Sequence, residues 1–265
     1  MDWSNERYLS HLKREEDIQL GKRILDLKDK VIKNHEITHT VFLDPHQIRI
    51  STAILNNFQS DVSYKIEGAY AEAERKILVI FPEYRDEEDI KSDIAVLMLK
   101  LKDKNQEVTH QSVLGSLMAL GIERDVVGDI VIDQQKAYVI LMQNMVDYIR
   151  MQLEKIGKSS ILIETCDISN LEIPKPKVEA VFKVISSLRL DVVVSAIGNM
   201  SRQEASKHIA KDFVKVNWSL VDKNAMEVQV GDMISIRGYG RFYVKELLGT
   251  TKKDNYRVLF EKLIG

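Results

Sequence analysis

Between positions 189 and 241 the chain sets cationic side chains at intervals that suit a polyanion. Ser201 is followed three residues later by Glu204, the spacing of a capping box, so a helix starts there. On that helix Arg202 lies beside the backbone donors of the first turn, which favour an anion, and Lys207 and Lys211 stack one turn apart, opposite Ala205 and Ile209. Lys215 alternates with Val214 and Val216 on a strand. Arg237-Gly238-Tyr239-Gly240-Arg241 then places two planar guanidinium forks around a tyrosine ring, with glycines that let the backbone approach a large ligand. Phosphate binding and base stacking are the chemistry these types perform, and the stretch reads as an RNA-binding module. Plainer readings exist for single pieces, namely lysines on a solvated helix and arginines of a glycine-bent strand facing water. The order of the whole stretch favours RNA.

No comparable constellation for covalent chemistry occurs elsewhere. The sequence contains no glycine-rich S-adenosylmethionine loop, P-loop, His-Glu-x-x-His or Gly-x-Ser-x-Gly motif. His35, His39 and His46 lack partners at metal-ligand spacing, so they read as polar or capping residues. No catalytic residue, cofactor or metal site is assigned. The lone Cys166 can form no internal disulfide and reads as a buried strand thiol in a reducing compartment. No apolar run is long enough to span a bilayer, and the first residues lack the layout of an export signal, which predicts a cytoplasmic location. The net charge of −2 is uneven: 14 Lys and Arg stand against nine Asp and Glu from position 181 onward, and 24 against 31 before it. A basic C-terminal unit on an acidic remainder fits local attraction to a polyanion, and chance scatter of charge accounts for it equally well.

The elements that must position these residues follow from periodicity. Leu9 to Ile32 recur at helical spacing, and Asp44-Pro45 opens a second helix to Asn57, giving a helical N-terminal unit over 1–73. Over 74–170 the pattern predicts strands at 77–81, 94–99, 129–133, 137–141 and 161–165, with helices at 109–120 and 144–156. That β-β-α-β-β-α-β order fits a ferredoxin-like or RNA-recognition plait, although no aromatic pair forms a base-stacking platform. Ile173-Pro174-Lys175-Pro176-Lys177 marks a linker over 171–180, and 181–265 forms the basic unit of two helices and a β-hairpin sheet. The fold class is α+β. Gly198 is the expected stop of the first of those helices, and Gly231-Asp232 marks a turn.

Arg189-Leu190-Asp191, Ser201-Arg202-x-x-Ala205, Val214-x-Val216-Asn217, Val230-Gly231-Asp232 and Arg237-Gly238-x-Gly240-Arg241 resemble the S4-type RNA-binding domain. Asp212 and Trp218 stand where that pattern has glycine. Thr109-His110-Gln111, Leu114-Gly115-Ser116-Leu117, Leu120-Gly121-Ile122-x-Arg124 and Gly128-Asp129-Ile130 resemble the central domain of the YlmH family, with Gln111 replacing its usual arginine. The resemblance implies a non-catalytic factor of ribosome-associated quality control. Such a factor binds rRNA and tRNA on a large ribosomal subunit carrying peptidyl-tRNA, beside a tail-elongating factor. It further implies that Arg189, Arg202, Lys207, Lys211, Lys215, Arg237 and Arg241 grip phosphates, that Asp191 orients an arginine, and that Ser201 and Asn217 add polar or capping contacts. Two alternatives stay open: an RNA-modifying enzyme of the pseudouridine synthase or rRNA methyltransferase type, and a cell-division scaffold.

Overall fold

A computed structural model of the chain describes residues 7–103, 106–167, 173 and 177–264. They fall into two compact units, Met1–Pro174 and Lys175–Gly265.

In the first unit, α1 (Glu15–Asn34) opens on Glu15, Glu16 and Asp17, whose charges suit the helix N-terminus, and closes on His35 in the left-handed region at φ 57°. Gly21 sits within this helix without breaking it. After β1 (Thr38–His39), α2 (Pro45–Leu55) is capped by Asp44, which accepts from the Gln47 N–H while the Gln47 side chain returns to the Asp44 N–H. Strands β2 (Val62–Glu67) and β3 (Ile77–Pro82) follow, and β3 lies between β1 and β2. The N-terminal unit therefore carries a three-stranded sheet beneath its helices. The run at 77–82, grouped with the central plait on sequence pattern, is the middle strand of this first sheet.

The second sheet is built from β4 (Ile94–Leu101), β5 (Val127–Asp133), β6 (Lys136–Met142), β7 (Lys155–Ile156) and β8 (Ser159–Cys166), in the order β5-β6-β4-β8-β7. Helix α3 (His110–Ala119) joins β4 to β5, and α4 (Val146–Gln152) joins β6 to β7. Without β3 the order is the β-α-β-β-α-β of a ferredoxin-like plait, closed by the short β7–β8 hairpin. The helix expected over 144–156 is divided: a 3-10 turn at Gln143–Met145 precedes α4, and its end is strand β7. Cys166, read as a buried thiol, is half-buried at the end of β8.

Both faces of β3 are covered, which is why it reads as an unbroken apolar run rather than an alternating one. Leu78 and Ile80 pack with Ile24, Val31 and Ile54 of α1 and α2. Ile77, Val79 and Phe81 pack against Ile94, Val96, Ile140 and Met142 of the second sheet. The opposite face of that sheet, with Leu97, Leu99, Val139 and Leu141, meets Val113 and Leu117 of α3 and Ile149 of α4. The unit is a four-layer stack of helices, sheet, sheet and helices, in which each fully buried Leu, Ile or Phe contributes roughly 1.5–3 kcal/mol.

Of the predicted linker, residues 171–172 and 174–176 lie outside the described residues, and Lys177–Ala180 begin β9 (Lys177–Ile185). The second unit continues with α5 (Leu190–Gly198), α6 (Arg202–Ala210), β10 (Val214–Val216), β11 (Ser219–Leu220), β12 (Met233–Ile236), β13 (Gly240–Thr250) and β14 (Tyr256–Ile264). Its antiparallel sheet runs β11-β10-β12-β13-β14-β9. Val192, Val193 and Val194 are weak helix formers, each worse than alanine by about half a kcal/mol. Val193 and Val194 are fully buried against Val214, Ile234, Phe242 and Phe260, and that burial outweighs the local preference. Gly198 is the last residue of α5, while Asn199 takes the left-handed stop position at φ 49°.

Candidate nucleic-acid interface

Arg189 is the N-cap of α5, and Asp191 lies in its first turn, held there by backbone bonds from Leu190 N to Met226 O at 2.8 Å and from Asp191 N to Asn224 O at 3.2 Å. The Asp191 side chain is only 5% exposed, and it accepts from Arg189 Nε at 3.1 Å, Arg189 Nη2 at 3.4 Å, Arg202 Nε at 2.7 Å and its neighbour Val192 N at 3.1 Å. Burial alone would raise the pKa of this carboxyl, but the hydrogen bonds and charges of the two arginines outweigh it and hold the value below the usual carboxylate range. The arginines themselves are 43% and 56% exposed. One carboxylate thus fixes two guanidinium groups and leaves the trio with a net positive charge. Arg202 gives Asp191 only its Nε–H, so both Nη groups stay outside that contact.

Ser201 caps α6: its hydroxyl oxygen accepts from the Glu204 N–H at 3.2 Å, while Glu204 Oε2 accepts from the Ser201 N–H at 2.9 Å. The backbone N–H and hydroxyl of Ser201 hold the Glu204 carboxyl below its ordinary pKa. A carboxylate of the chain itself therefore occupies the helix end that the sequence pattern offered to phosphate, and Ser201 acts within the cap. Lys207 and Lys211 lie exposed on the outer side of α6, away from buried Ala205 and Ile209.

The remaining expected residues divide. Lys215, Ser235 and Arg241 stand side by side on β10, β12 and β13. Their neighbours Val214, Val216, Ile234, Ile236 and Phe242 point into the core with the helices, so Lys215 and Arg241 share the opposite face of the sheet. Arg237 follows β12, and its guanidinium carbon lies 5.1 Å from the Phe213 ring centroid, just beyond α6. Asn217 serves the fold: its Nδ2 donates to Asp232 Oδ1 at 2.7 Å and its Oδ1 accepts from Met233 N at 3.0 Å. Asn217 and Trp218 form the two-residue β10–β11 turn at φ 49° and 66°, and Asp212 also has φ 57°. The glycine positions of the pattern keep their left-handed geometry here, filled by residues that adopt it at a cost of about 1–2 kcal/mol.

The motifs of the first unit resolve into packing. Gly128 sits where an added Cβ would lie 2.8 Å from Phe42 Cε1 and 2.9 Å from Ile140 Cγ2, so it leaves room for the Phe42 ring, which comes from the β1–α2 connection, to pack on β5 and β6. Asp129 accepts from Tyr70 Oη at 2.7 Å, Glu74 N at 2.8 Å and Arg75 N at 3.1 Å, pinning the 70–75 segment. Burial raises the Tyr70 pKa, and Asp129 raises it further. Arg124 Nη1 donates to the Val127 and Gly128 carbonyls, and Arg75 Nε donates to the same Val127 carbonyl at 3.1 Å. Burial and the adjacent Arg75 charge push the Arg124 pKa down to about 10. Asp129 and Arg75 thus join β5 to the segment that leads into β3, while the Arg124 bonds stay within 124–128. Thr109 caps α3 through Ser112, with His110 and Gln111 exposed. Two residues that pattern reading missed, His208 and Phe213, join Tyr239 in one cluster in which the His208 ring meets both others; they carry no periodic signal, since only the strand order brings 239 to 208 and 213.

Two short helices on an antiparallel sheet, with a carboxylate-locked arginine pair at their N-termini, define an S4-type RNA-binding protein. Residues 188–234 match the S4 domain model, so Arg237 and Arg241 lie just beyond the matched segment. Residues 16–85 match the model described as "YlmH, N-terminal", and 86–170 the one described as "Putative RNA-binding domain in YlmH". The chain is 37% identical over 238 residues to the "Ribosome-associated protein quality control protein P2" of Bacillus subtilis (strain 168), across 90% of this chain and 92% of that protein. It belongs to the YlmH family. A solved structure titled "Cell division protein ylmH from Streptococcus pneumoniae" matches with a TM-score of 0.53 at 19% identity, over 61% of this chain and 97% of that one, a likeness of fold.

Proposed function

We propose that this protein is a non-catalytic, cytoplasmic RNA-binding factor that acts in ribosome-associated quality control. It binds rRNA and tRNA on a large ribosomal subunit carrying an obstructed peptidyl-tRNA and supports the work of a tail-elongating partner. The observation that carries this reading is the pair of half-exposed guanidinium groups fixed by one buried carboxylate, at 2.7 and 3.1 Å. Arranged in advance, such groups bind phosphate without the full ordering cost of free arginine side chains. Lys207, Lys211 and Arg237 extend the cationic surface along and beyond α6, while Lys215 and Arg241 offer a second contact on the sheet's outer face. The 37% identity to the quality-control protein named above supports the ribosomal setting.

Arg189→Glu and Arg202→Glu test the assignment. Each variant is expected to keep the wild-type circular dichroism spectrum and to lose co-sedimentation with large ribosomal subunits. Unchanged co-sedimentation of both variants overturns the reading. Nucleoside analysis of rRNA from a deletion strain separates it from an RNA-modifying enzyme, because a missing modified nucleoside would support the enzyme instead.

A further inference from the structure

His208, Phe213 and Tyr239 come from three places in the second unit: α6, the connection to β10, and the turn between β12 and β13. Their rings meet edge to face. The His208 ring lies 5.8 Å from Phe213 at 71° and 5.7 Å from Tyr239 at 79°. The turn is tied to the same place, since Arg237 N donates to Phe213 O at 2.9 Å and Tyr239 N to Ile236 O at 3.0 Å. Gly238 and Gly240 flank Tyr239 at φ 85° and 110°, a path that side chains rarely follow, and this path sets the ring on the outside of the turn. His208 Nδ1 faces the Glu204 carbonyl at 3.0 Å; a carbonyl oxygen only accepts, so Nδ1 carries the proton and the imidazole is oriented. Tyr239 remains 40% exposed.

We infer that this cluster is a stacking site for an unpaired nucleobase, separate from the arginine pair at Asp191. The contact with His208 covers at most one face of the tyrosine ring, and the 40% of Tyr239 that stays exposed is where a planar base would stack. The surroundings are cationic: Arg237 is two residues before Tyr239, Lys207 precedes His208 on α6 and Lys211 is the C-cap of that helix, all exposed. One aromatic ring is too small a patch to dock a protein, whereas a flat base joined to phosphates satisfies ring and cations together. The site deepens the RNA-binding reading above and rests on it. It assigns the second unit two kinds of contact: phosphate at Arg189 and Arg202, and an unpaired nucleotide at Tyr239.

The test uses the full chain and two probes with equal numbers of phosphates, a stem-loop RNA with 2-aminopurine in its loop and a blunt RNA duplex. Wild-type protein is expected to bind the stem-loop more tightly and to quench the 2-aminopurine. Tyr239→Ala is expected to weaken stem-loop binding about 5- to 150-fold, the range of one base–aromatic stack, to lose the quench and to leave duplex binding unchanged. Tyr239→Phe keeps both affinity and quench, while Arg202→Glu weakens both probes. Equal weakening of both probes by Tyr239→Ala, or stem-loop binding and quench identical to wild type, overturns the stacking site and leaves the RNA-binding reading standing. If the wild-type protein binds neither probe, the RNA-binding reading falls first.

Discussion

Replacing Asp191 by asparagine sets two physical effects against each other, and the sign of the result decides between them. The substitution removes one negative charge from the face proposed to meet phosphates, so electrostatics alone predicts tighter RNA binding. The same charge holds Arg189 Nε and Arg202 Nε at 3.1 and 2.7 Å. Without it, both side chains regain the rotamer freedom they must surrender when they bind. Immobilising one such side chain costs about 0.5–1.5 kcal/mol, so two cost about 1–3 kcal/mol, or roughly 5- to 150-fold in affinity. The positioning effect is therefore expected to win. Fluorescence anisotropy with a labelled rRNA stem-loop, titrated at several salt concentrations, should show weaker binding with an unchanged salt slope, because the same cations still meet the same phosphates. Equal or tighter binding by Asp191→Asn would falsify the positioning role.

Stability offers an independent reading of the same substitution. Hydrogen bonds to a charged group contribute about 1.5–3 kcal/mol each when buried, but both arginines are half-exposed and water replaces much of what they lose. A net loss of about 2 kcal/mol is expected in urea unfolding at neutral pH. Asp191 is a carboxyl with a depressed folded-state pKa, so its contribution is present above the unfolded value near 3.9 and is lost as pH falls through the folded value. Wild-type stability should accordingly decline on acidification below about pH 4, and that decline should be shallower in Asp191→Asn.

Trp218→Gly relieves a left-handed tryptophan in the β10–β11 turn and should stabilise the protein by about 1 kcal/mol, read as a higher urea midpoint with an unchanged slope. Gly128→Ala forces a methyl to within 2.8 Å of Phe42 and 2.9 Å of Ile140 and should destabilise by about 1–3 kcal/mol; a neutral effect in calorimetry would show that the Phe42 ring does not need the space Gly128 leaves. If about six phosphates are neutralised, log affinity should fall with log salt at a slope near −4 to −5, and a slope shallower than −2 would exclude the multi-arginine contact.

What the sequence disclosed and what it withheld follow from the range of the interactions involved. Asp44-Pro45 and Ser201-Arg202-Gln203-Glu204 signal helix starts through contacts three residues apart, and the structure has caps at both. Strand membership depends on partners far along the chain. Ile77–Pro82 reads as a strand in isolation, but nothing local says that it pairs with Thr38–His39 and Val62–Glu67 rather than with β4. The short β1 is too brief for any periodicity to show, and β2, Val62-Ser63-Tyr64-Lys65-Ile66-Glu67, has only a weak alternation. At the candidate site, the residue types at 189, 191 and 202 could be read directly. The number of guanidinium groups that Asp191 holds could not, because that depends on how α5 packs on α6.

The first unit limits where any nucleic acid could meet it. In an RNA-recognition plait, bases stack on the outer face of the sheet. Here Ile94, Val96, Ile140 and Met142 on that face are nearly inaccessible, packed against Ile77, Val79 and Phe81 of the other sheet, and Arg75 and Asp129 tie the segment leading into β3 to β5. Exposing the face means separating two sheets across a core of large apolar side chains, each worth roughly 1.5–3 kcal/mol, which is far more than a few stacked bases return. The missing aromatic pair on β4 and β6 has the same cause, since residues there are selected to fill an interior. A contact between residues 86–170 and RNA therefore runs over the sheet edges or the α3 and α4 side. The stacking site proposed above lies in the second unit instead, where Tyr239 presents an exposed ring two residues from Arg237.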